Sequence, residues 1–161
     1  MKTLVVYDSK YGNTAKVAEW IVETATAYGS AHRKLANKVE SGDFDGIDVL
    51  FIGTPTQGGR PTEHLQEVID TYALTLPSTL HVAPFDTRLN SRTVGRWLKL
   101  LMRMIGFAAP KIAHSFQHGS TCIVERPEGF IVTGNEGPLA KGELERVTLW
   151  VRRVIRRSKK S

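Results

Sequence analysis

The sequence predicts an α/β protein with a doubly wound parallel sheet of five strands, in the order 2-1-3-4-5, and helices on both faces. Two observations predict this fold. Apolar stretches of strand length alternate along the chain with amphipathic stretches of helix length, and 161 residues are the size of one domain. Because no repeat, linker or low-complexity segment interrupts the alternation, we expect a single domain over residues 1–161.

Five stretches are predicted to form the strands. Four are apolar and rich in branched residues, as buried parallel strands are. The second is mostly polar, which suits a strand at the edge of the sheet. In chain order the stretches are residues 2–7, 31–35, 49–53, 80–85 and 121–124, with 130–132 continuing or flanking the last.

The helices are predicted where apolar residues recur every three or four positions. Gly29 follows the first helix at a position typical of a helix end, and Pro61 stands near the start of the second. Leu144 is expected on the buried side of the last helix. The four predicted helices cover residues 13–27, 62–72, 91–106 and 142–157.

The positive charge is concentrated near the end of the chain. The net charge is +6, and residues 146–161 hold seven arginines and lysines and no acid. The tail 156–161 is expected to fray. A second basic series has the spacing of one helical face: Arg88, Arg92, Arg96, Lys99 and Arg103. These groups could be solvated, could dock an acidic partner, or could contact nucleic acid or an anionic membrane, although no nucleic-acid motif accompanies them.

Cysteine content and hydropathy indicate a cytoplasmic protein. Cys122 is the single cysteine, which excludes an intrachain disulfide and fits a reducing compartment, and we expect it buried in the fifth strand. No apolar run approaches the roughly 20 residues that span a bilayer, and the N-terminus lacks a secretory signal pattern.

Two histidines are the only pair with a spacing that could suggest a metal. His114 and His118 are four residues apart, but their neighbours indicate a strand or loop, and a metal site needs three or four converging ligands. We therefore expect no metal site, and the sequence predicts no catalytic residue.

The loop after the first strand has the residue types of a phosphate-binding loop. Ser9 and Thr14 offer hydroxyl donors, Gly12 allows close backbone approach, and the following helix N-terminus favours an anion. A capped strand-to-helix turn would use similar residues. Ligands of doubly wound sheets bind at this position, which favours the phosphate interpretation. The candidate residues are Ser9, Lys10, Tyr11, Gly12, Asn13 and Thr14.

The stretch from Val5 to Thr14 resembles the phosphate-loop signature of the flavodoxin family. It has two apolar residues and an aromatic, then a hydroxyl residue, a glycine and a threonine. It contains neither the Gly-Lys-Ser/Thr of a Walker motif nor the Gly-x-Gly-x-x-Gly of dinucleotide-binding proteins. The resemblance extends to the order of elements over the whole chain, and it implies a flavodoxin-like fold that binds FMN.

The resemblance also implies that two later loops hold the flavin ring. The loop after the third strand would border one side of the ring, with Gly58-Gly59 as a peptide that can reorient, and its Gly-Thr-Pro-Thr start also resembles flavodoxin-like quinone reductases. The candidates there are Pro55, Thr56, Gln57, Gly58 and Gly59.

The loop after the fourth strand would border the other side of the ring. Phe85 either contacts the flavin or ends the core of the strand. Asp86 and Arg88 either pair and hold the loop, or Arg88 faces the flavin or its phosphate side. The candidates in this loop are Phe85, Asp86, Thr87 and Arg88.

Two features depart from electron-carrier flavodoxins. The second and third loops lack the Trp and Tyr that sandwich the ring in that family, and this chain is basic where typical flavodoxins are acidic. The resemblance implies an FMN-binding electron-transfer protein with a redox partner, which the charge suggests is acidic. The alternatives are an FMN-dependent NAD(P)H:quinone-type oxidoreductase and a flavin-free interaction or regulatory module.

Overall fold

The computed structural model describes residues 1–56, 58–90, 96, 100, 104, 106–134 and 136–160. The predicted site residue Gln57 lies outside these ranges, as does most of the helix predicted over 91–106. Three members of the predicted basic face also lie outside the described residues: Arg92, Lys99 and Arg103.

The strands form one parallel sheet in the predicted order. Its order is β2-β1-β3-β4-β5, and β6 pairs with β4 further along the same edge. The polar second strand lies at the edge, as its composition predicts. The strands are β1 (Lys2–Tyr7), β2 (Ser30–Leu35), β3 (Val49–Pro55), β4 (His81–Leu89), β5 (Ile123–Val124) and β6 (Glu128–Val132).

Helices cover both faces of this sheet because β1 and β3 are apolar on both sides. Leu4 and Val6 of β1 pack in one core and Val5 in the other, as alternation along a strand requires. The first core includes residues of α2 and α3, and the second includes residues of α1 and α4. The described α-helices are α1 (Asn13–Thr26), α2 (Glu63–Tyr72), α3 (Ala108–Gly119) and α4 (Glu143–Ser158).

The prediction of a strand or loop around His114 and His118 is wrong, because both residues belong to α3. The helix buries Ile112 and Phe116, which are four residues apart on one face. Gly119 is its last residue. The glycine therefore ends a helix, and the histidines lie on its exposed side.

The fourth strand is longer than predicted. It continues to Leu89 because β3 pairs with it as far as Thr87 and β6 pairs with it from Phe85 to Leu89. The residues expected in a third loop therefore lie within a strand that has neighbours on both sides. Arg88 is consequently part of β4 and not of a basic helical face.

Three smaller expectations are also wrong. Leu144 is 50% exposed and is not part of the buried side of α4. Cys122 lies just before β5 and is half-buried. The tail does not fray at residue 156, because α4 continues to Ser158 and the Arg157 guanidinium lies 3.0 Å from the Glu125 carboxylate.

A bulge separates β5 from β6 and anchors the C-terminal end of α4. Two residues of β4 lie opposite the three residues from Glu125 to Pro127, so the outer strand has one extra residue. The bulged Glu125 is buried, with its carboxylate 3.0 Å from the ring of His81 at the start of β4. It also pairs with Arg157, so the last turns of α4 lie at the end of the sheet where β4 begins.

Candidate functional site

A cleft of about 250 Å³ lies at the carboxyl ends of β1, β3 and β4. This is the edge at which doubly wound sheets bind their ligands. All three segments that the sequence singled out contribute to it. Its lining residues are Lys10, Tyr11, Asn13, Thr14, Pro55, Thr56, Thr87, Arg88, Leu89 and Val132.

The first loop turns directly into α1 through a left-handed glycine. Gly12 has φ 85° and precedes the first helical residue, Asn13. The Ser9 hydroxyl accepts a hydrogen bond from the amide of Ala15 at 3.2 Å. The amides of Asn13 and Thr14 belong to the first helical turn and have no acceptor within the helix. The loop therefore presents amides and hydroxyls at the positive end of a helix.

Hydrogen bonds between Thr54 and Thr62 join the two ends of the second loop. Thr54, at the end of β3, accepts a hydrogen bond from the amide of Thr62 at 3.3 Å, and its hydroxyl lies 3.3 Å from that of Thr62. Gly58 and Gly59 have φ of 54° and 71°, which glycine adopts without strain. Neither of them lines the cleft.

Thr56 connects the second loop to two neighbouring elements. Its amide donates to the carbonyl of Thr87 at 2.9 Å, and its hydroxyl accepts from the amide of Ala108 at 3.2 Å. These bonds hold the cleft-lining side of the loop against β4 and the start of α3.

Asp86 and Arg88 pair, which is one of the two arrangements that the sequence left open. The buried Asp86 carboxylate accepts from Arg88 Nε and, at 2.8 Å, from the amide of Ala109. Burial raises the pKa of Asp86, and the Arg88 guanidinium opposes that rise. The guanidinium lies 3.9 Å from the centre of the Phe107 ring and against Gly129, where a Cβ would overlap it. Arg88 is thus fixed in orientation beside the cleft.

Phe85 lies in the core and does not contact the cleft, which is one of the two positions that the sequence left open for this residue. It is 0% exposed, and its ring centre lies 6.0 Å from that of Trp150 and 6.3 Å from that of Phe130. The ring occupies the space that a side chain at position 53 would need, and residue 53 is a glycine. The Phe85 side chain therefore does not reach the cleft.

A fourth segment, which follows β6, packs against the first loop. Asn13 Nδ2 donates to the carbonyl of Glu136 at 2.9 Å, and Gly137 lies so close to the Asn13 amide that a Cβ would overlap it. The glycines and proline that follow β6 were the available signal, because β6 also ends at the carboxyl edge of the sheet.

Comparison with known proteins agrees with this geometry. Residues 4–77 match the model of the flavodoxin domain family, and they include the first loop and β3. This match and the likeness to solved flavodoxins described below agree on the fold. The chain has a flavodoxin-like fold. No curated protein sequence matches it.

Solved structures with this fold include two flavodoxins that match the flavodoxin-like chain over nearly its full length. One is from Streptococcus pneumonia TIGR4, with 14% identity, a TM-score of 0.73 and coverage of 98% of this chain and 99% of the other. A short-chain flavodoxin associated with a non-canonical PDU bacterial microcompartment has 13% identity, a TM-score of 0.75 and the same coverage. At these identities the likeness shows the fold.

A third match is to part of a larger protein, the flavodiiron core Flv1 from Synechocystis sp. PCC6803. It has 16% identity and a TM-score of 0.67, and the match covers 99% of this chain but 36% of the other. The flavodoxin-like fold of this chain therefore corresponds to about a third of that protein.

Outside the cleft, the described residues of this flavodoxin-like protein offer little for metal chemistry. His114 and His118 lie with ring centres 4.2 Å apart on α3. Within the described ranges, no group of three or more His, Cys, Asp or Glu residues could hold a metal ion. The same part of the chain contains no helix that is long and apolar enough to cross a membrane.

Proposed function

We propose that this flavodoxin-like protein binds FMN in the cleft at the carboxyl ends of β1, β3 and β4 and acts in electron transfer. The observation that carries the proposal is the first loop. The loop lines the cleft with Lys10, Tyr11, Asn13 and Thr14, and it also carries the left-handed Gly12, the Ser9 hydroxyl and the amides of the first turn of α1. A dianionic monophosphate matches this donor set and the helix dipole.

The chemistry of the donors fits a phosphate better than a neutral ligand. Ser9 uses a lone pair to accept from Ala15, so its hydroxyl proton remains available to an anion. Thr14 shares a bond with Thr87, and one of the two hydroxyl protons is free to donate elsewhere. Lys10 lines the same cleft and adds a positive charge. Ser9, Lys10 and Thr14, with the amides of 10–14, would hold the phosphate.

The flavin ring would lie further along the cleft, between the second loop and β4. Pro55 and Thr56 line one side, and Thr87, Arg88 and Leu89 line the other. Bound FMN would supply one- and two-electron redox chemistry at that position. Arg88 would keep a fixed positive charge near the ring, because Asp86 and Phe107 hold its guanidinium.

A redox partner would approach the mouth of the cleft, since electron transfer needs the flavin edge to be near the partner. Tyr11 is 48% exposed there, and the exposed Lys10 and Arg60 belong to the loops around it. These two cations are what an acidic partner would meet. We also propose a cytoplasmic location, which the lone half-buried Cys122 supports.

Titration of the apoprotein with FMN, with riboflavin as the matched control, tests the proposal. We expect FMN to bind far more tightly than riboflavin, because only FMN has the phosphate that the first loop would hold. Flavin fluorescence and the visible spectrum report both titrations. If neither flavin binds, the protein is a flavin-free module and the proposal is wrong.

One observation favours a reductase as the second candidate. Neither the described part of the second loop nor β4 presents a Trp or Tyr to the cleft, and a ring without such a cover would be accessible to a second substrate. Steady-state oxidation of NAD(P)H by the FMN-loaded protein, with and without a quinone, separates the two. Appreciable turnover by the protein alone would assign the reductase, and its absence would assign the carrier.

A further inference from the structure

The last turns of α4 present a dense cluster of positive charge, which we call the α4 basic end. It consists of Arg126, Arg152, Arg153, Arg156, Arg157, Lys159 and Lys160, all of them exposed. Arg126 belongs to the cluster because it borders a small crevice with Arg153 and Arg157. Charge of one sign on a single surface produces a strong local potential.

Most of this charge is not neutralised within the described part of the protein. Arg157 pairs with the buried Glu125, and Lys159 lies over the ring of Tyr28. Glu128, the other acid beside the crevice, already pairs with Arg146 at 2.8 Å. None of the described ion pairs includes the remaining members of the cluster: Arg126, Arg152, Arg153, Arg156 and Lys160.

An exposed leucine lies in line with the arginines. Leu149 is 56% exposed and, with Arg153, Arg156 and Lys160, follows the spacing of one helical stripe. Together with Arg157 they border a shallow groove of about 350 Å³ whose surface is mostly apolar. A basic helix face that also exposes an apolar side chain is the composition by which helices lie on anionic membranes.

The α4 basic end lies at the opposite end of the sheet from the cleft. Ser158 contacts the Sδ of Met1, which precedes β1, and Arg157 pairs with Glu125 beside the start of β4. The cleft lies where β1 and β4 end. At about 3.3 Å per residue, the strands place the two ends roughly 20 Å or more apart. A redox partner docked at the cleft would therefore not cover this cluster.

We infer that the α4 basic end binds the anionic headgroups of a phospholipid membrane surface, with Leu149 entering the interface. The arginines and lysines would contact lipid phosphates along the exposed side of α4, and the cleft at the carboxyl edge of the sheet would remain open to solvent. The cation count and the exposed Leu149 favour a lipid surface over a nucleic acid, for which the cluster shows no aromatic platform for bases.

Vesicle co-sedimentation of the full chain tests this inference. We expect binding to vesicles of phosphatidylglycerol mixed with phosphatidylcholine, no binding to phosphatidylcholine alone, and release as salt is raised. The variant Arg153→Gln/Arg156→Gln should bind about 30-fold more weakly, since each basic residue near the surface contributes about fivefold. The control Lys38→Gln/Lys141→Gln removes the same charge from exposed positions outside the cluster and should change binding by less than about threefold.

Leu149→Asn separates a membrane from other polyanions. We expect it to weaken vesicle binding several-fold and to leave binding of double-stranded DNA unchanged, because only the membrane has an apolar layer. Three outcomes would overturn the inference: no binding of the unaltered protein to anionic vesicles at low salt, equal losses in both double variants, or tighter binding to DNA that is insensitive to Leu149. Because these positions are exposed, circular dichroism should show unchanged helix content in every variant.

Discussion

The hydroxyl of Thr14, in the first turn of α1, lies 2.8 Å from the hydroxyl of Thr87 in β4. Both side chains are buried, and both residues line the cleft. The bond joins the first loop to the middle of the sheet across 73 positions of the chain. Since a hydroxyl both donates and accepts, this pair can remain bonded while one of its protons points to a ligand.

Thr14→Val should therefore weaken FMN binding selectively. Valine has nearly the shape of threonine but cannot donate, and a hydrogen bond to a charged group contributes about 1.5–3 kcal/mol, so we expect the FMN Kd to rise about 10- to 100-fold. The riboflavin Kd should change by less than about twofold, because riboflavin has no phosphate. Thr14→Ser keeps the hydroxyl and should bind FMN nearly as the unaltered protein does. Equal losses of both flavins would contradict the assigned phosphate position.

Gly12 provides a second, backbone-level test of the same loop. Its φ of 85° suits glycine, and an added Cβ would meet no atom within 4 Å, so Gly12→Ala acts through backbone strain alone. We expect the strain to reorient the loop amides, so that one of them no longer donates to the phosphate. The loss of one charge-assisted hydrogen bond should raise the FMN Kd about tenfold or more.

Gly46→Ala is the matched control for Gly12→Ala. Gly46 has φ 65° and equally open surroundings but lies in the turn before β3, far from the cleft. Both variants should lose about 1–2 kcal/mol of unfolding free energy, which urea denaturation measures, while only Gly12→Ala loses FMN affinity. Similar FMN affinity in the two variants would show that the conformation of Gly12 does not matter for binding.

The sheet order and the first loop could be predicted because their signals are local. The apolar run of β1, the polar run of β2 and the glycine of the loop can all be identified within a few residues. The helix α3 could not be predicted with the same ease, because His114, Ser115 and Gly119 obscure the apolar spacing of Ile112 and Phe116. Only packing against α2 and the sheet shows which face is buried.

The rest of the site depends on contacts between distant segments. Asp86 and Arg88 lie in a strand because β6, more than 40 residues later, pairs with β4 along their length. The orientation of Arg88 requires Gly129, and the position of Asn13 requires Glu136 and its neighbours. No local pattern identifies such partners, which is why the sequence left the roles of Phe85 and Arg88 open.

The Cys122 thiol should be less reactive than an ordinary cysteine at neutral pH. Burial raises its pKa, and the thiolate is the species that reacts, so the raised pKa lowers the reactive fraction. We expect iodoacetamide to modify the folded protein at least a few-fold more slowly than the urea-unfolded protein, with a rate that rises about tenfold per pH unit up to a pKa above the usual value. The unfolded chain is the internal control. A folded-state rate that levels off at the usual cysteine pKa would contradict the prediction.

Gly53→Ala should destabilise the protein through Phe85. An added Cβ at residue 53 would overlap the Phe85 ring, which is fully buried and cannot move aside, so we expect a loss of about 1–3 kcal/mol in the free energy of unfolding. Phe85→Leu removes the ring, so the double variant should lose less than the sum of the single losses, by about 0.5 kcal/mol or more. Gly119→Ala, where a Cβ meets nothing within 4 Å, is the control and should leave stability nearly unchanged. Additive losses in urea denaturation would mean that the Phe85 ring does not limit the space at Gly53, and would remove the structural reason for a glycine in β3.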